Sequence, residues 1–351
     1  MQEIVSSHER TYAMGRYIGK RILQSLLVIL GVSILIFILS RVIPGDPGRL
    51  ALGPRATQEA VDALNRELYV DRPLPVQYVY WLRDVFRGDL GTSIITRRSV
   101  SLDVKQFLPA TIELMLFAGL FMTLGAIFLG KRAAKHRDGV IDGLVRFLSY
   151  AGIAMPAFVV SILLLLLFGH FWQVIPVLGR LSPGVAAPNR VTGLFFIDSL
   201  LAGRFATAWD AFLHILLPAF ALSLGGMFQN ARLMRNALVE NSGKEYMTVS
   251  RSYGLPEKRL LNRYLMKPSS GSVITVMGLD LAAMLGNAFL VEKIFNWPGL
   301  SNYGVNSMLN KDLNAIVAVV IIIGIIYTIV NIIVDMIVAY LDPRIRQKRV
   351  A

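Results

Sequence analysis

Long apolar stretches constrain the fold of this chain more than any other feature of its sequence. A bilayer-crossing helix needs about 20 mostly apolar residues, and the chain contains five clear runs of about that length and one weaker run. The clear runs are Ile22–Ile43, Pro109–Gly130, Leu144–Phe171, Ser272–Phe295 and Leu313–Leu341, and the weaker one is Phe212–Met227. The sequence therefore predicts an all-α polytopic membrane protein with six transmembrane helices.

The composition supports a membrane as the solvent of this chain. Of its 351 residues, 54% are hydrophobic and only 17% are charged, and the mean hydropathy of +0.55 is above that of soluble domains. The net charge of +13 comes from basic residues between the apolar runs rather than on one face of a helix, which argues against nucleic acid as a partner. Because the chain has no cysteine, disulfides and thiolate chemistry are excluded and the redox compartment cannot be inferred.

The distribution of Lys and Arg predicts the orientation of the chain. Short loops rich in these residues stay in the cytoplasm, and four segments have this character. They are Arg10–Arg21, Lys131–Arg146, Arg232–Lys267 and Arg344–Arg349. With six spans, both termini are predicted to be cytoplasmic in a multi-pass protein of the inner (plasma) membrane.

Two external segments interrupt this pattern of spans. The first span is expected to be an uncleaved anchor rather than a signal peptide, since its apolar run is too long and no small-residue cleavage site follows it. The long loop after it contains a helix-like stretch, 57–69, and an amphipathic stretch, 75–87, whose Tyr78, Trp81, Leu82 and Val85 share one face. A second loop, 169–211, is rich in Gly and Pro and is predicted to be irregular or re-entrant.

The cytoplasmic segment 241–267 is predicted to form two short helices joined by a stiff corner. Ser242 and Glu245 fit the S-x-x-E capping box that begins a helix. A glycine with the left-handed conformation commonly ends such a helix, and a proline favours the start of the next one; Gly254 and Pro256 are placed for these roles. Further residues of the corner and of one helix face are Tyr246, Val249, Ser250, Tyr253 and Leu255. A helix this short must dock onto another element to be stable.

The same segment resembles the EAA motif of ABC-importer permeases, in which an acidic residue precedes a glycine by nine positions, as Glu245 precedes Gly254. Around it the chain resembles permeases of the dipeptide/oligopeptide type along nearly its whole length. The matching pieces are RVIPGDP (41–47), DRPLPVQY (71–78), GDLGTS (88–93), LPATIEL (108–114), MPAF (155–158), ARLMR (231–235), EKIFNWPGL (292–300) and LDPRIR (341–346). In this order, and at these positions relative to the spans, they indicate the family.

This resemblance implies the transmembrane domain of a type I (MetI-like) ABC importer. Its implied partners are a second homologous permease subunit, two cytoplasmic ABC ATPase subunits, an extracytoplasmic solute-binding protein and membrane lipid. No cofactor, metal or catalytic site is expected on this chain, which has no G-x-x-x-x-G-K-[ST] phosphate-binding loop; ATP would be used by the partner subunits. The implied function is import of di- or oligopeptides by alternating access, with nickel, glutathione or oligosaccharides as alternative solutes and the solute-binding protein setting selectivity.

The implied organisation has four parts. Residues 1–20 form a cytoplasmic N-terminus, 21–108 the first span with the external loop, 109–341 the importer transmembrane domain with the coupling loop near 241–267, and 342–351 a cytoplasmic tail. We expect one membrane domain, since the sequence contains no internal repeat.

Ionisable residues inside spans are candidates for function. Glu113 and Asp335 lie near span ends, where a carboxylate can reach water or a loop arginine, whereas Asp280 lies well inside. A translocation-path or subunit-interface role for Asp280 is weighed against a buried, satisfied aspartate. Other residues of a path or external gate are Asn287, Glu292, Trp297, Pro298 and Gly299, and the last three are otherwise a turn with an interfacial aromatic.

For several residues a purely structural role is an alternative to a functional one. Glu245 either caps its helix alone or also contacts the ATPase, and Arg232 and Arg235 are either topology anchors or the lead into the coupling loop. For His214 a packing or hydrogen-bonding role is favoured over metal ligation, because no second His or Cys stands at ligand spacing.

Two other classes of protein remain as alternatives. An ion-coupled secondary transporter would need paired intramembrane charges and matching broken helices in two halves, and this chain shows one deep carboxylate and no evident symmetry. An intramembrane enzyme would need a catalytic motif such as G-x-S-x-G or H-E-x-x-H, and the sequence contains neither.

Overall fold

The computed structural model describes residues 7–42, 47–53, 55–67, 69 and 71–341, and this part of the chain is almost entirely helical. The predicted cytoplasmic tail, 342–351, lies outside these residues. The N-terminal elements are α1 (Ser7–Val42), α2 (Pro47–Leu52), α3 (Gln58–Glu67) and α4 (Leu74–Phe86). The membrane and connecting elements are α5 (Val100–Lys135), α6 (Val140–Ala154), α7 (Ala157–Leu166), α8 (Phe195–Leu201), α9 (Phe205–Ser242), α10 (Glu245–Ser252), α11 (Glu257–Arg259), α12 (Met266–Ile294), α13 (Leu300–Leu309) and α14 (Leu313–Leu341). Two π-helical stretches, Leu167–Trp172 and Leu260–Leu265, continue α7 and α11.

The all-helical prediction is confirmed. Within the described residues four helices are long and apolar enough to cross a bilayer: α5, α9, α14 and the segment Glu257–Ile294 that contains α12. The pair α6 and α7 adds a fifth span if the two are counted together, and Ile22–Ile38 of α1 is a shorter apolar stretch. The count of six spans stays a prediction.

The third predicted span, Leu144–Phe171, was wrong as one continuous helix. The helices α6 and α7 meet at a bend of 104°, where Met155 is extended (φ −98°, ψ 112°). The ring of Pro156 clashes with a helical conformation at the preceding residue and removes a backbone donor. The apolar run therefore folds as two helices joined by a sharp bend.

The fourth predicted span, Phe212–Met227, was too short. It lies within α9, a helix of 38 residues that packs against α5, α6, α7, α8 and α12. More than half of its most apolar stretch is buried, so polar residues such as His214 and Asn230 find partners inside the protein rather than facing lipid. This burial explains why its apolar pattern is weak.

The two segments predicted to be external loops are more ordered than the sequence indicated. The helices α3 and α4 confirm the two predicted helical stretches, and the predicted face of α4 packs on α1: Tyr78 and Trp81 contact Phe37 at ring-centroid distances of 5.3 and 5.7 Å. The hydroxyls of Tyr78 and Ser33 lie 2.7 Å apart. The loop 169–211, predicted to be irregular, contains α8 and the start of α9.

Candidate functional site

The segment 241–265, predicted to be cytoplasmic and here called the elbow, begins differently from the predicted capping box. The helix α9 continues to Ser242, whose hydroxyl donates to the carbonyl of Val239 at 2.7 Å within its own helix. The next helix, α10, starts at Glu245 after Lys244, which contributes no side-chain cap. The capping-box prediction was wrong because Ser242 satisfies its hydroxyl inside α9, leaving Glu245 as an acidic residue in the first turn of α10.

The glycine corner of the elbow is confirmed. Gly254 has φ +70°, a conformation that a β-branched residue rarely adopts, and its N–H donates to the carbonyl of Arg251 at 2.9 Å. Pro256 then leads into α11, and the Nε of Arg251 donates to Glu257 across the corner at 3.1 Å. The second helix is not separate, however, because α11 continues through the π-helical stretch into α12.

A single methionine anchors α10 to the membrane domain. Met247 is fully buried in the main apolar core, which also contains Leu238, Leu260 and Leu265, and Leu255 packs at its edge. The sequence analysis missed this anchor because the aromatic residues beside it dominated the helical pattern. A lone apolar residue at the first inward-facing position of a short helix was the available signal.

The predicted aromatic face of α10 points away from this chain. Tyr246, Val249 and Tyr253 are 39%, 52% and 80% exposed, and the hydroxyl of Ser250 donates to the carbonyl of Tyr246 at 2.7 Å. Exposed large apolar side chains beside a buried anchor are typical of an interaction surface. We call Tyr246, Val249 and Tyr253 the coupling face.

A cavity of about 440 Å³ lies between the bend that joins α6 and α7, the middle of α9, and α12. Its lining is mainly apolar, and polar side chains reach it from Gln229, Asp280 and Asn287. The Nδ2 of Asn230, a fully buried residue, donates to Asp280 Oδ2 at 2.5 Å and to the carbonyl of Gly226 at 2.8 Å. Asp280 and Asn287, two of the predicted path residues, both line this cavity; Asn230 was not predicted.

Two other predicted path residues, Glu292 and Trp297, form a separate cluster with Thr111. We call this cluster the staple. Glu292 is fully buried and accepts hydrogen bonds from Thr111 Oγ1 at 2.5 Å and from the backbone N–H of Asn302 at 2.8 Å. The Thr111 oxygen in turn accepts from the N–H of Leu300 at 2.8 Å. These contacts hold the first turn of α13 against α5, and a Cβ at Gly299 would collide with the Glu292 carboxylate.

Trp297 belongs to the same staple. It is 1% exposed, so the interfacial-aromatic reading was wrong, and its Nε1 donates to the carbonyl of Ala110 at 2.9 Å. The turn predicted at Trp297, Pro298 and Gly299 is confirmed, with Pro298 exposed at its tip. Glu292 and Trp297 thus join α5, α12 and α13 and do not line the cavity.

A buried ion pair joins α5 to the second external loop. Glu113 pairs with Arg180, as expected for a carboxylate near a span end that can reach a loop arginine, and also accepts from the N–H of Phe196 at 2.8 Å. The guanidinium lies 3.6 Å from the Phe195 ring centroid. Burial lowers the pKa of Arg180, while the charge and hydrogen bond of Glu113 act in the opposite direction. The pair ties the loop to the membrane domain.

Asp198 organises the same loop from within. Burial works to raise the pKa of Asp198, but hydrogen bonds from the Thr192 hydroxyl and from backbone N–H groups of residues 191–193 outweigh it and lower the pKa. The Thr192 hydroxyl donates at 2.7 Å and the N–H of Gly193 at 2.9 Å. An ionised carboxylate with this many donors fixes the turn before α8.

In the basic segment that follows the fourth predicted span, Arg235 is more than a topology anchor. Its guanidinium donates to both oxygens of the buried Asp142, at 2.9 and 2.5 Å, and so clamps α6 to α9. Arg232 lies over the Tyr150 ring at 5.0 Å. The hydrogen-bonding role favoured for His214 is confirmed, since its Nδ1 lies 2.9 Å from the carbonyl oxygen of Asp210.

An apolar helical bundle with a cavity between its helices and an exposed apolar face on a docked short helix is consistent with a membrane transport permease. The sequence model of the family described as "Binding-protein-dependent transport system inner membrane component" matches residues 111–347. The N-terminal model of such components, "Binding-prot-dependent transport system membrane comp, N-term", matches residues 14–115. The chain belongs to this family of inner-membrane transport components.

Relatives of known assignment resemble the chain over nearly its full length. It is 37% identical to the probable D,D-dipeptide transport system permease protein DdpB of Escherichia coli (strain K12), over 91% of this chain and 94% of that protein. It is 30% identical to the dipeptide transport system permease protein DppB of Alkalihalophilus pseudofirmus, over 94% and 99%. It is 31% identical to the glutathione transport system permease protein GsiC of Salmonella typhimurium, over 95% and 100%.

Proposed function

We propose that this chain is the permease subunit of an ATP-driven peptide importer and that it translocates di- or oligopeptides by alternating access. The observation that carries the proposal is near-full-length similarity to dipeptide permeases. Glutathione, the solute named for a third relative, is itself a small peptide, so all three names share one substrate chemistry. The chain itself performs no catalysis in this account.

The proposed assembly supplies what this chain lacks. A second homologous permease subunit completes the path, two ABC ATPases bind ATP on the cytoplasmic side, and an external binding protein delivers the solute. Both termini of the chain, and the elbow 241–265, face the cytoplasm in this account. The support is the basic character of the connecting segments 131–146 and 232–267.

The coupling face is the proposed contact for an ATPase subunit. Tyr246, Val249 and Tyr253 are exposed, whereas the adjacent Met247 lies in a core shared with α9 and α12. A force applied to α10 is therefore transmitted to the two helices that carry Asn230 and Asp280. Packed interiors move as rigid pieces rather than deforming gradually, so ATPase closure would rock these helices and change access to the cavity.

The corner at Gly254 offers a direct test of this coupling. Replacing Gly254 with Val forces a β-branched residue into φ +70°, a conformation that costs such residues free energy. We expect the Gly254→Val transporter to assemble in the membrane and hydrolyse ATP but to take up labelled dipeptide at least about tenfold more slowly. Uptake and ATP hydrolysis are measured together in proteoliposomes.

The matched control is Gly243→Val at the other end of α10. Gly243 has φ −85° and its Cβ would meet no atom closer than 3.8 Å, so coupled uptake should be largely retained. Normal dipeptide uptake by Gly254→Val would count against a mechanical role for the corner.

A further inference from the structure

Asp280 has no basic side chain beside it in the cavity wall. Among the described residues that line the cavity there is no Lys, Arg or His, and Asp280 is the sole ionisable side chain. It lies midway along α12, roughly 20 Å from either end of the helix at about 1.5 Å per residue. A carboxylate at this depth is costly without a positive partner.

The hydrogen bonds around Asp280 leave room for such a partner. Asn230, a neutral donor, reaches Oδ2, and Oδ1 accepts no hydrogen bond in the described part of the chain. The Oδ1 atom of Asn230 is also buried without a partner. Buried polar atoms without a hydrogen-bond partner are rare in proteins, so this pair has unused capacity to bind a polar group.

The rest of the wall has the chemistry of a peptide environment. Gln229 and Asn287 present amides, which can bond peptide groups, while Leu148, Val160 and Phe228 present apolar surface suited to side chains of differing shape. The volume of about 440 Å³ lies within the range of about 300–1,000 Å³ usual for small-ligand sites.

We propose that Asp280 receives the α-ammonium group of the peptide during translocation, with Asn230 positioning the carboxylate. The inference rests on the proposed function and deepens it by assigning recognition of a free amino terminus to the membrane path. An ionised Asp280 has a countercharge in the cavity only while a cationic substrate is bound. Apolar side chains of the peptide pass without selection, because the wall offers them no polar constraint.

Uptake by the complete transporter tests the role of the charge. With its ATPases and binding protein in proteoliposomes, wild-type transporter should import labelled dialanine with ATP. The Asp280→Asn variant should reduce the maximal rate about tenfold or more, the loss expected for one charge-assisted hydrogen bond, and Asp280→Glu should restore most of it. The control Asp71→Asn removes a carboxylate that is 51% exposed and lies outside the cavity, and it should transport normally.

Photo-crosslinking distinguishes the amino group from any other cation. The probes are alanyl-benzoylphenylalanine and its N-acetyl form, applied to the purified permease–ATPase complex without binding protein. The free-amino probe should label the α9 and α12 walls several-fold more than the acetylated probe, and Asp280→Asn should abolish the difference. Equal labelling by both probes, no labelling of the wild-type cavity, or unchanged uptake by Asp280→Asn would overturn the inference.

The proposed peptide import and the proposed recognition site at Asp280 can be tested separately. If wild-type transporter imports dialanine with ATP but Asp280→Asn is indistinguishable from it, the proposed peptide importer stands and the recognition site is wrong. If wild type imports no peptide at all, the proposed function itself is wrong.

Discussion

Single side chains with fixed partners hold the external end of the bundle. Trp297, Glu292 and Thr111 join α5, α12 and α13 through hydrogen bonds of 2.5 to 2.9 Å. Buried polar groups with satisfied hydrogen bonds fix one arrangement, whereas unsatisfied ones are costly. The staple therefore fixes the positions of α5, α12 and α13 relative to one another.

The hydrogen bond of Trp297 can be removed while its ring volume is mostly kept. Replacing Trp297 with Phe deletes the donor to the Ala110 carbonyl and should destabilise the protein by about 1 kcal/mol, plus a contribution from lost packing. The measurement is thermal unfolding of the purified complex. Trp209→Phe is the control, since Trp209 is 62% exposed, and an equal effect of both substitutions would refute the staple.

At the scale of elements, α10 is stable only because one side chain docks it. Its eight residues are too few for a helix to persist alone in water, and Met247 supplies the buried contact. The exposed coupling face contributes no comparable burial to this chain. Stability and partner binding in α10 thus depend on different residues.

This division of roles predicts opposite effects from two substitutions. Met247→Ala removes a fully buried side chain and should cost about 2–5 kcal/mol, seen as faster hydrogen exchange across 244–254. Tyr253→Ala, at an 80% exposed position, should leave exchange in the isolated chain unchanged within about 0.5 kcal/mol yet weaken ATPase binding. Faster exchange in Tyr253→Ala than in Met247→Ala would contradict the assignment.

Element identity followed from the sequence where local chemistry decides it. The long apolar run 313–341 and the glycine at 254 depend on local composition and backbone geometry, and both are as predicted. The bend at Met155 was missed because a proline alone does not end a helix: Pro109 and Pro218 lie inside the continuous helices α5 and α9. Met247, Asn230 and the Arg235–Asp142 clamp depend on contacts between distant segments, which periodicity does not contain.

At the scale of the molecule, the cytoplasmic elbow and the cavity are parts of one packed unit. The core that buries Met247 continues along α9 and α12. These helices carry Asn230 and Asp280, which are hydrogen-bonded to each other, and Asp280 lines the cavity. Asn241 and Ser269, 2.9 Å apart, join the same two helices near the elbow. In the proposed mechanism, movement of α10 is transmitted to the cavity through α9 and α12, which the Asn241–Ser269 hydrogen bond joins.

Because the chain has no cysteine, contact between the coupling face and an ATPase subunit can be measured by site-specific crosslinking. A single cysteine at Tyr253 and a control at Phe86, which is 84% exposed on α4, can each carry a maleimide-benzophenone crosslinker in the assembled transporter, and the chain has no other thiol. The account predicts a photo-crosslink from position 253 to an ATPase subunit, altered by ATP, and none from position 86. An active transporter in which position 253 never crosslinks to an ATPase would contradict it.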